Sequence, residues 1–198
     1  MSQKAYLLLA DGTVFEGFSF GAVGRTMGEV VFNTSMTGYL ETITDPSYYG
    51  QIVVQTFPLI GNYGLISPDF ESKSPQIKGY IVREWCQLPS NFRCEGDIDT
   101  FLKQKNIIGL YGIDTRKLTK IIRRTGVMNG LITDSLENKE ALLEEIRAYR
   151  ILRAVESVTQ QSTAKSGAGA LRVTLMDFGY KYNIARELEK RGCEVTVV

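Results

Sequence analysis

"LRVTLMDFGYKYNIARELEKRGCEVTVV" (171–198) decides the fold class, because the apolar pattern changes period twice within it. "LRVTL" is apolar and β-branched and runs into Asp177 and Gly179, which reads as a strand and its exit turn. "YNIARELEKRG" carries a helical stripe, with Asn183 as candidate N-cap and Gly192 as the C′ stop. "CEVTVV" returns to strand alternation. Strand, helix and strand of these lengths make one βαβ unit, the opening of a parallel, doubly wound α/β sheet. One unit cannot cover both faces of its sheet. Val195, Val197 and Val198 alternate with Thr196 on a strand with no visible support. Residues 171–198 alone are therefore expected to be loosely ordered or to pair with other chains.

Upstream, "TQQSTAKSGAGA" (159–170) is small, polar and aperiodic, which is linker composition. Before it, "AYLLLADGTVFEGFSF" (5–20) reads as two strands joined at Asp11-Gly12, a dipeptide suited to a two-residue hairpin. "GEVVFN" (28–33), "QIVVQTF" (51–57) and "IKGYIV" (77–82) are short buried strands. A helix capped by Asp97 or Asp99 follows, then the strand "IIGLYGI" (107–113). "DTRKLTKIIRRTG" (114–126) is a helix with Asp114 as N-cap, Leu118, Ile121 and Ile122 on one face, and Gly126 as its stop. "GLIT" is a strand, and "NKEALLEEIRAY" is a helix whose Leu142, Ile146 and Tyr149 share a face. The expected organisation is mixed α/β: a domain over 1–152, a linker over 153–170 and the start of a second domain over 171–198.

Composition bounds the chemistry. The 198 residues are 43% hydrophobic and 23% charged, with a net charge of +1. That balance supplies a core and gives no general attraction to nucleic acid or to an anionic membrane. No apolar run approaches the roughly 18 residues of a membrane helix, and the chain reads as cytoplasmic. Cys86, Cys94 and Cys193 are odd in number and lack paired spacing, so buried free thiols are expected rather than a disulfide set or a zinc site. Histidine is absent. No Ser-His or Cys-His nucleophile pair and no His-ligated metal can be built from these residues.

The motifs narrow the choice. "MDFG" (176–179) is shared with the metal-holding turn of protein kinases, but a kinase catalytic loop needs a histidine. No Gly-Lys pair exists for a Walker A loop, and "SGAGA" precedes a strand rather than following one. A small nucleotide-binding α/β protein built on the terminal βαβ unit therefore lacks its phosphate loop. The helix from residue 115 presents Arg116, Lys117, Lys120, Arg123 and Arg124 against the single acid Asp114. The plain account is a solvated face with cations at the negative end of the helix dipole; the functional one is a dock for an acidic partner patch. Ser35, Thr37, Thr44, Ser47, Tyr48 and Tyr49 crowd "TSMTGYLETITDPSYYGQIVVQT" (34–56). With no base beside them, these hydroxyls either cap local backbone or contact a polar ligand supplied from elsewhere. Asp45-Pro46 forms a turn that presents Ser47 at a strand entrance.

Five ordered segments, "GEVVFNTSMTGYLETITDPSYYGQI" (28–52), "PLIGNYG" (58–64), "SNFR" (90–93), "GIDTRKLTKIIRRTGVMNGLI" (112–132) and "DFGYKYNI" (177–184), resemble the small, glutamine-hydrolysing subunit of carbamoyl phosphate synthetase. The resemblance implies a β/β/α layered amino-terminal domain followed by the first βαβ unit of a flavodoxin-like class I glutamine amidotransferase domain. In that family a cysteine nucleophile releases ammonia from L-glutamine. The ammonia passes to a large subunit, which carries ATP and Mg and makes carbamoyl phosphate for pyrimidine and arginine synthesis. The resemblance places Ser47 against bound glutamine and the basic helix on the side facing the large subunit.

The family's Gly-x-Cys-x-Gly-His-Gln and His-Pro-Glu segments are absent from these residues, and Cys193 lies in the wrong context for the nucleophile. The expectation is an amino-terminal portion of the subunit, with no catalytic residue, cofactor or metal of its own and no glutaminase activity alone. The alternative is a non-catalytic module that docks on the large subunit.

Overall fold

The computed structural model describes residues 3–198. Strands β1 (Lys4–Leu9) and β2 (Val14–Gly21) pair antiparallel, as the hairpin signal requires. The loop is longer than the expected two residues. Leu9 N–H donates to the Thr13 carbonyl and Gly12 N–H to the Leu9 carbonyl, each at 2.9 Å. Gly12 takes a positive φ of 88°, while the Asp11 carboxylate accepts from the Thr13 N–H at 2.8 Å. This is a three-residue loop with glycine at its left-handed position.

Four further strands, β3 (Thr26–Asn33), β4 (Gln51–Gln55), β6 (Gly79–Val82) and β8 (Ile108–Tyr111), run mutually parallel. A two-residue pair, β5 (Leu59–Ile60) and β7 (Glu84–Trp85), lies apart. Strand β9 (Met128–Thr133) pairs antiparallel with β3 on one edge and with β1 on the other. The ring β1-β2-β8-β6-β4-β3-β9 is thereby closed. The layering implied by the resemblance takes the form of one closed barrel rather than of separate stacked sheets.

Alternation sorts the side chains. Leu7, Leu9, Val30, Ile52, Val54 and Ile81 pack in one cluster with Leu118 and Ile122 of helix α3 (Thr115–Thr125), which packs against β3 and β4. The barrel core is thus completed by a helix. The opposite faces of the same strands, Val53, Tyr80 and Val82, pack with α1 (Tyr39–Thr44) and α2 (Ile98–Gln104). Leu8 and Leu131 meet Leu142 and Ile146 of α4 (Lys139–Ala148). Tyr149, expected on that helix face, is the residue just past the helix, and its hydroxyl donates to the Gly50 carbonyl at 3.2 Å. Helix α1 was not expected from its hydroxyl-rich, β-branched sequence; burial of Tyr39, Leu40 and Ile43 outweighs weak local propensity.

The later segment departs most from expectation. Residues 153–170 contain helix α5 (Ala154–Val158) and strand β10 (Ala164–Ser166). Strand β10 pairs antiparallel with β12 (Cys193–Val197), whose other edge pairs parallel with β11 (Leu171–Leu175). Strand β12 is therefore the centre of a three-stranded sheet rather than an unsupported strand. Its Val195 and Val197 are buried with Ala185 of helix α6 (Tyr182–Lys190), and Val198 is half exposed. The glycines of "SGAGA" are there for closeness. A Cβ on Gly167 would lie 2.3 Å from the Cys193 carbonyl oxygen, and one on Gly169 would lie 1.7 Å from that of Gly192. Cys193 is buried as expected, but Cys86 and Cys94 are only partly so; all three are free thiols.

Leu118 is fully buried, so Leu118→Ala should lower the unfolding free energy by about 2–5 kcal/mol in urea titration. Arg123→Ala on the exposed side of the same helix should change it by less than about 0.5 kcal/mol.

Candidate functional site

Of the six hydroxyls singled out, those of Thr44 and Tyr48 have hydrogen-bond partners, as does that of the neighbouring Thr42. Buried Thr44 donates to the Leu40 carbonyl at 2.7 Å and accepts from the Glu71 N–H at 2.9 Å. Thr42 donates to the Gly38 carbonyl, and the Tyr48 hydroxyl accepts from Asn33 at 3.3 Å. Ser47 differs. It sits in a 3₁₀ turn (Pro46–Tyr48), is exposed, and its hydroxyl has no hydrogen bond among the described residues. Its backbone is fixed nonetheless, since the Asp45 carboxylate accepts from the Ser47 N–H at 2.9 Å. The sequence pattern for a turn presenting Ser47 is met in full.

That turn lies against the terminal βαβ unit. Asp45, 8% exposed, also forms an ion pair with Lys181 at 2.7 Å. The neighbouring Pro46 Cβ stands 3.4 Å from the position a Cβ would take on Gly179, and Val158 Cγ2 stands only 2.6 Å from it. Gly179 has φ of 92°, so both its conformation and its surroundings require glycine. Asp177, buried at the end of β11, accepts from the N–H groups of Gly179, Tyr180 and Gln160 at 2.7–2.9 Å. "MDFG" is thus a self-capped turn whose carboxylate is committed to backbone. A cavity of about 390 Å³ opens here, lined by Pro46, Ser72, Gln160, Asp177, Tyr180 and Tyr182. Asp177 directly follows Met176 at the carboxyl end of β11, and its N–H donates to Val198 just past β12. Carboxyl ends of parallel strands are where open α/β sheets bind ligands.

Helix α6 is not capped by Asn183. Its N-cap position is Lys181, which supplies no side-chain cap. Glu71, 8% exposed and far away in sequence, does the work: its carbonyl accepts from the Tyr182 N–H and its carboxylate from the Asn183 N–H, both at 2.9 Å. Arg186 donates to the Phe70 carbonyl at 3.0 Å. Glu71, Asp177 and the Asp45–Lys181 pair were not singled out in the sequence as site-forming. Nothing local to residues 69–71 pointed to residue 183 as a partner of Glu71.

The five basic residues lie elsewhere, on α3. Arg116, Lys117, Lys120, Arg123 and Arg124 are exposed, and none forms an ion pair among the described residues. Lys117 lies 5.7 Å from the centroid of the Phe15 ring. Asp114 caps the helix by accepting from the Lys117 N–H at 2.9 Å. Nothing brings this face to Ser47, so the two features are separate. Among the described residues no group of His, Cys, Asp or Glu could hold a metal ion, and no helix is long and apolar enough to cross a membrane.

The hydrogen bond that Lys181 donates to Asp45 first, and then the Asp45 charge, raise the pKa of Lys181 above the ordinary lysine value despite partial burial. A raised lysine contributes its stability in full below the unfolded value near pH 10.5 and loses it as pH climbs through the folded one. The melting midpoint should therefore be higher for the wild type than for Lys181→Met at about pH 8, and the gap should narrow toward about pH 11.5.

The model of the carbamoyl-phosphate synthase small chain, CPSase domain, matches residues 7–132. Carbamoyl phosphate synthase small chains from Clostridium perfringens and Listeria monocytogenes are 51% and 52% identical to this chain. Each alignment covers 98% of this chain and, respectively, 56% and 54% of the relative. The pyrimidine-specific small chain of Bacillus subtilis is 51% identical, with 98% and 54% covered. The chain spans about half the length of these curated relatives. Among solved structures, an aminopeptidase from Aneurinibacillus sp. strain AM-1 covers 67% of this chain and 32% of its own at 11% identity. Its TM-score of 0.36 is too low to argue from. On the family match and the identity across nearly all its length, this chain belongs to the carbamoyl-phosphate synthase small chain family.

Proposed function

We propose that this polypeptide is the amino-terminal portion of the small subunit of a glutamine-dependent carbamoyl phosphate synthase. It is a ligase component whose ammonia-releasing residues lie outside these 198 residues. The observation that carries the reading is the free, exposed Ser47 hydroxyl on a turn locked to the carboxyl end of β11. A neutral hydroxyl both donates and accepts, so it can bind the zwitterionic head of L-glutamine held mainly by the amidotransferase domain. No base is needed for that role, and the adjacent Asp45 carboxylate is engaged by the Ser47 N–H and by Lys181.

The division of labour follows from chemistry. Ammonia in neutral water is mostly ammonium, which has no lone pair for attack. Release at one site and use at another therefore favours direct transfer within a cytoplasmic heterodimer of small and large subunits. On this reading the large subunit holds ATP and Mg, and this chain binds no cofactor. The exposed cations of α3 suit docking on an acidic patch of that subunit, because completing the barrel core with Leu118 and Ile122 leaves the polar face outward. The pyrimidine-specific name of the Bacillus subtilis relative makes pyrimidine synthesis the first product pathway to test, with arginine synthesis the other.

In the complete heterodimer, Ser47→Ala should raise the KM for glutamine about tenfold or more and leave ammonia-dependent synthesis unchanged. Unaltered glutamine kinetics would remove Ser47 from the site. Charge reversal at Arg123 and Arg124 should slow association with the large subunit, most visibly at low salt. Residues 1–198 alone should release no ammonia from glutamine, as an ammonia assay would report.

A further inference from the structure

We propose that Glu71 is a positioning residue for the glutamine site, acting through α6. The inference rests on the glutamine-site reading of Ser47 and extends it to a residue that touches no substrate.

A helix leaves its first N–H groups without internal partners. In α6 the first two are taken by one residue of the barrel domain: Tyr182 N–H by the Glu71 carbonyl and Asn183 N–H by its carboxylate. Glu71 is itself held rigidly. Its own N–H donates to the Thr44 hydroxyl, whose residue has no exposure, and the adjacent Ser72 hydroxyl donates to the Thr44 carbonyl at 2.6 Å. Thr44 ends the helix immediately before Asp45, Pro46 and Ser47. A continuous set of short contacts therefore runs from α6 through Glu71 and Thr44 to the turn bearing Ser47. The Asp45–Lys181 pair closes the loop from the other side. A carboxylate at a helix N-terminus is also favoured by the helix dipole.

A merely structural cap would stabilise α6 and do nothing more. This one joins two units between which a ligand would bridge, so losing it should change where Ser47 stands relative to the amidotransferase side. Displacements of about 1 Å are enough to cost large factors in a positioned reaction.

The test uses the full-length subunit with its large partner and compares Glu71→Ala with Glu71→Gln, which keeps an acceptor oxygen of the same reach. Glu71→Ala should speed hydrogen exchange at the amides of residues 182 and 183 and raise the KM for glutamine about tenfold. Ammonia-dependent synthesis should stay within about twofold, and Glu71→Gln should recover most of the glutamine KM. Faster exchange with an unchanged KM would overturn the proposal, leaving a cap without a positioning role. Equal loss of both activities would overturn it too, as general unfolding. If Ser47→Ala is silent while Glu71→Ala raises KM and Glu71→Gln restores it, the Ser47 assignment fails and the route from Glu71 to the Ser47 turn is overturned with it, leaving only an effect through α6. A wild-type heterodimer that ignores glutamine would remove both.

Discussion

Closure of the barrel depends on β9, which pairs antiparallel with β1 on one side and with β3 on the other. Without it, β1 and β3 would be open edges, each able to pair with another chain. With it, the ring encloses an apolar core that needs a helix to complete it. Leu118 and Ile122 contribute two of the buried side chains, which orients α3 and leaves its arginines and lysines in solvent. The exposed basic face is thus a by-product of core packing before it is anything functional. That is why composition alone could not separate a solvated face from a docking surface.

The same core sets the turn that bears Ser47. Helix α1 packs Tyr39, Leu40 and Ile43 against the outer faces of the parallel strands, and its last residue, Thr44, anchors Glu71. The turn that follows is held by Asp45, which serves both the Ser47 N–H and Lys181. Position is transmitted through backbone groups and the short side chains of Thr44, Asp45 and Ser72, joined by the longer Glu71 and Lys181.

Local order was largely legible and long-range order was not. The Asp11-Gly12 hairpin, the Asp97 and Asp114 caps and the amphipathic faces of α3 and α4 all follow from contacts within a few residues. Pairing of Tyr6 with Thr133 has no such signature, because alternation gives a strand's face and not its neighbour. Helix α1 was hidden by its threonines and by Gly38 before it, at φ of 81°. Asn183 looked like a cap because caps are usually local; the real acceptor lies 112 residues away. Ser47 could be picked out by family resemblance, whereas residues alone gave only a hydroxyl in a turn. What sets it apart from the other unpartnered hydroxyls, the hold of Asp45 on its turn and on Lys181, became visible only in three dimensions.

Residues 166–170 looked like slack, yet two of their glycines lie tight against a neighbouring strand. The backbone at Gly167 and Gly169 passes so near the Gly192–Cys193 carbonyls that a single methyl would collide. Glycine content is therefore a poor gauge of freedom: the smallest residue serves equally where a chain swings and where it is wedged. Here the wedge fixes the approach to β11, and the run from β10 into β11 is a fitted joint rather than a leash.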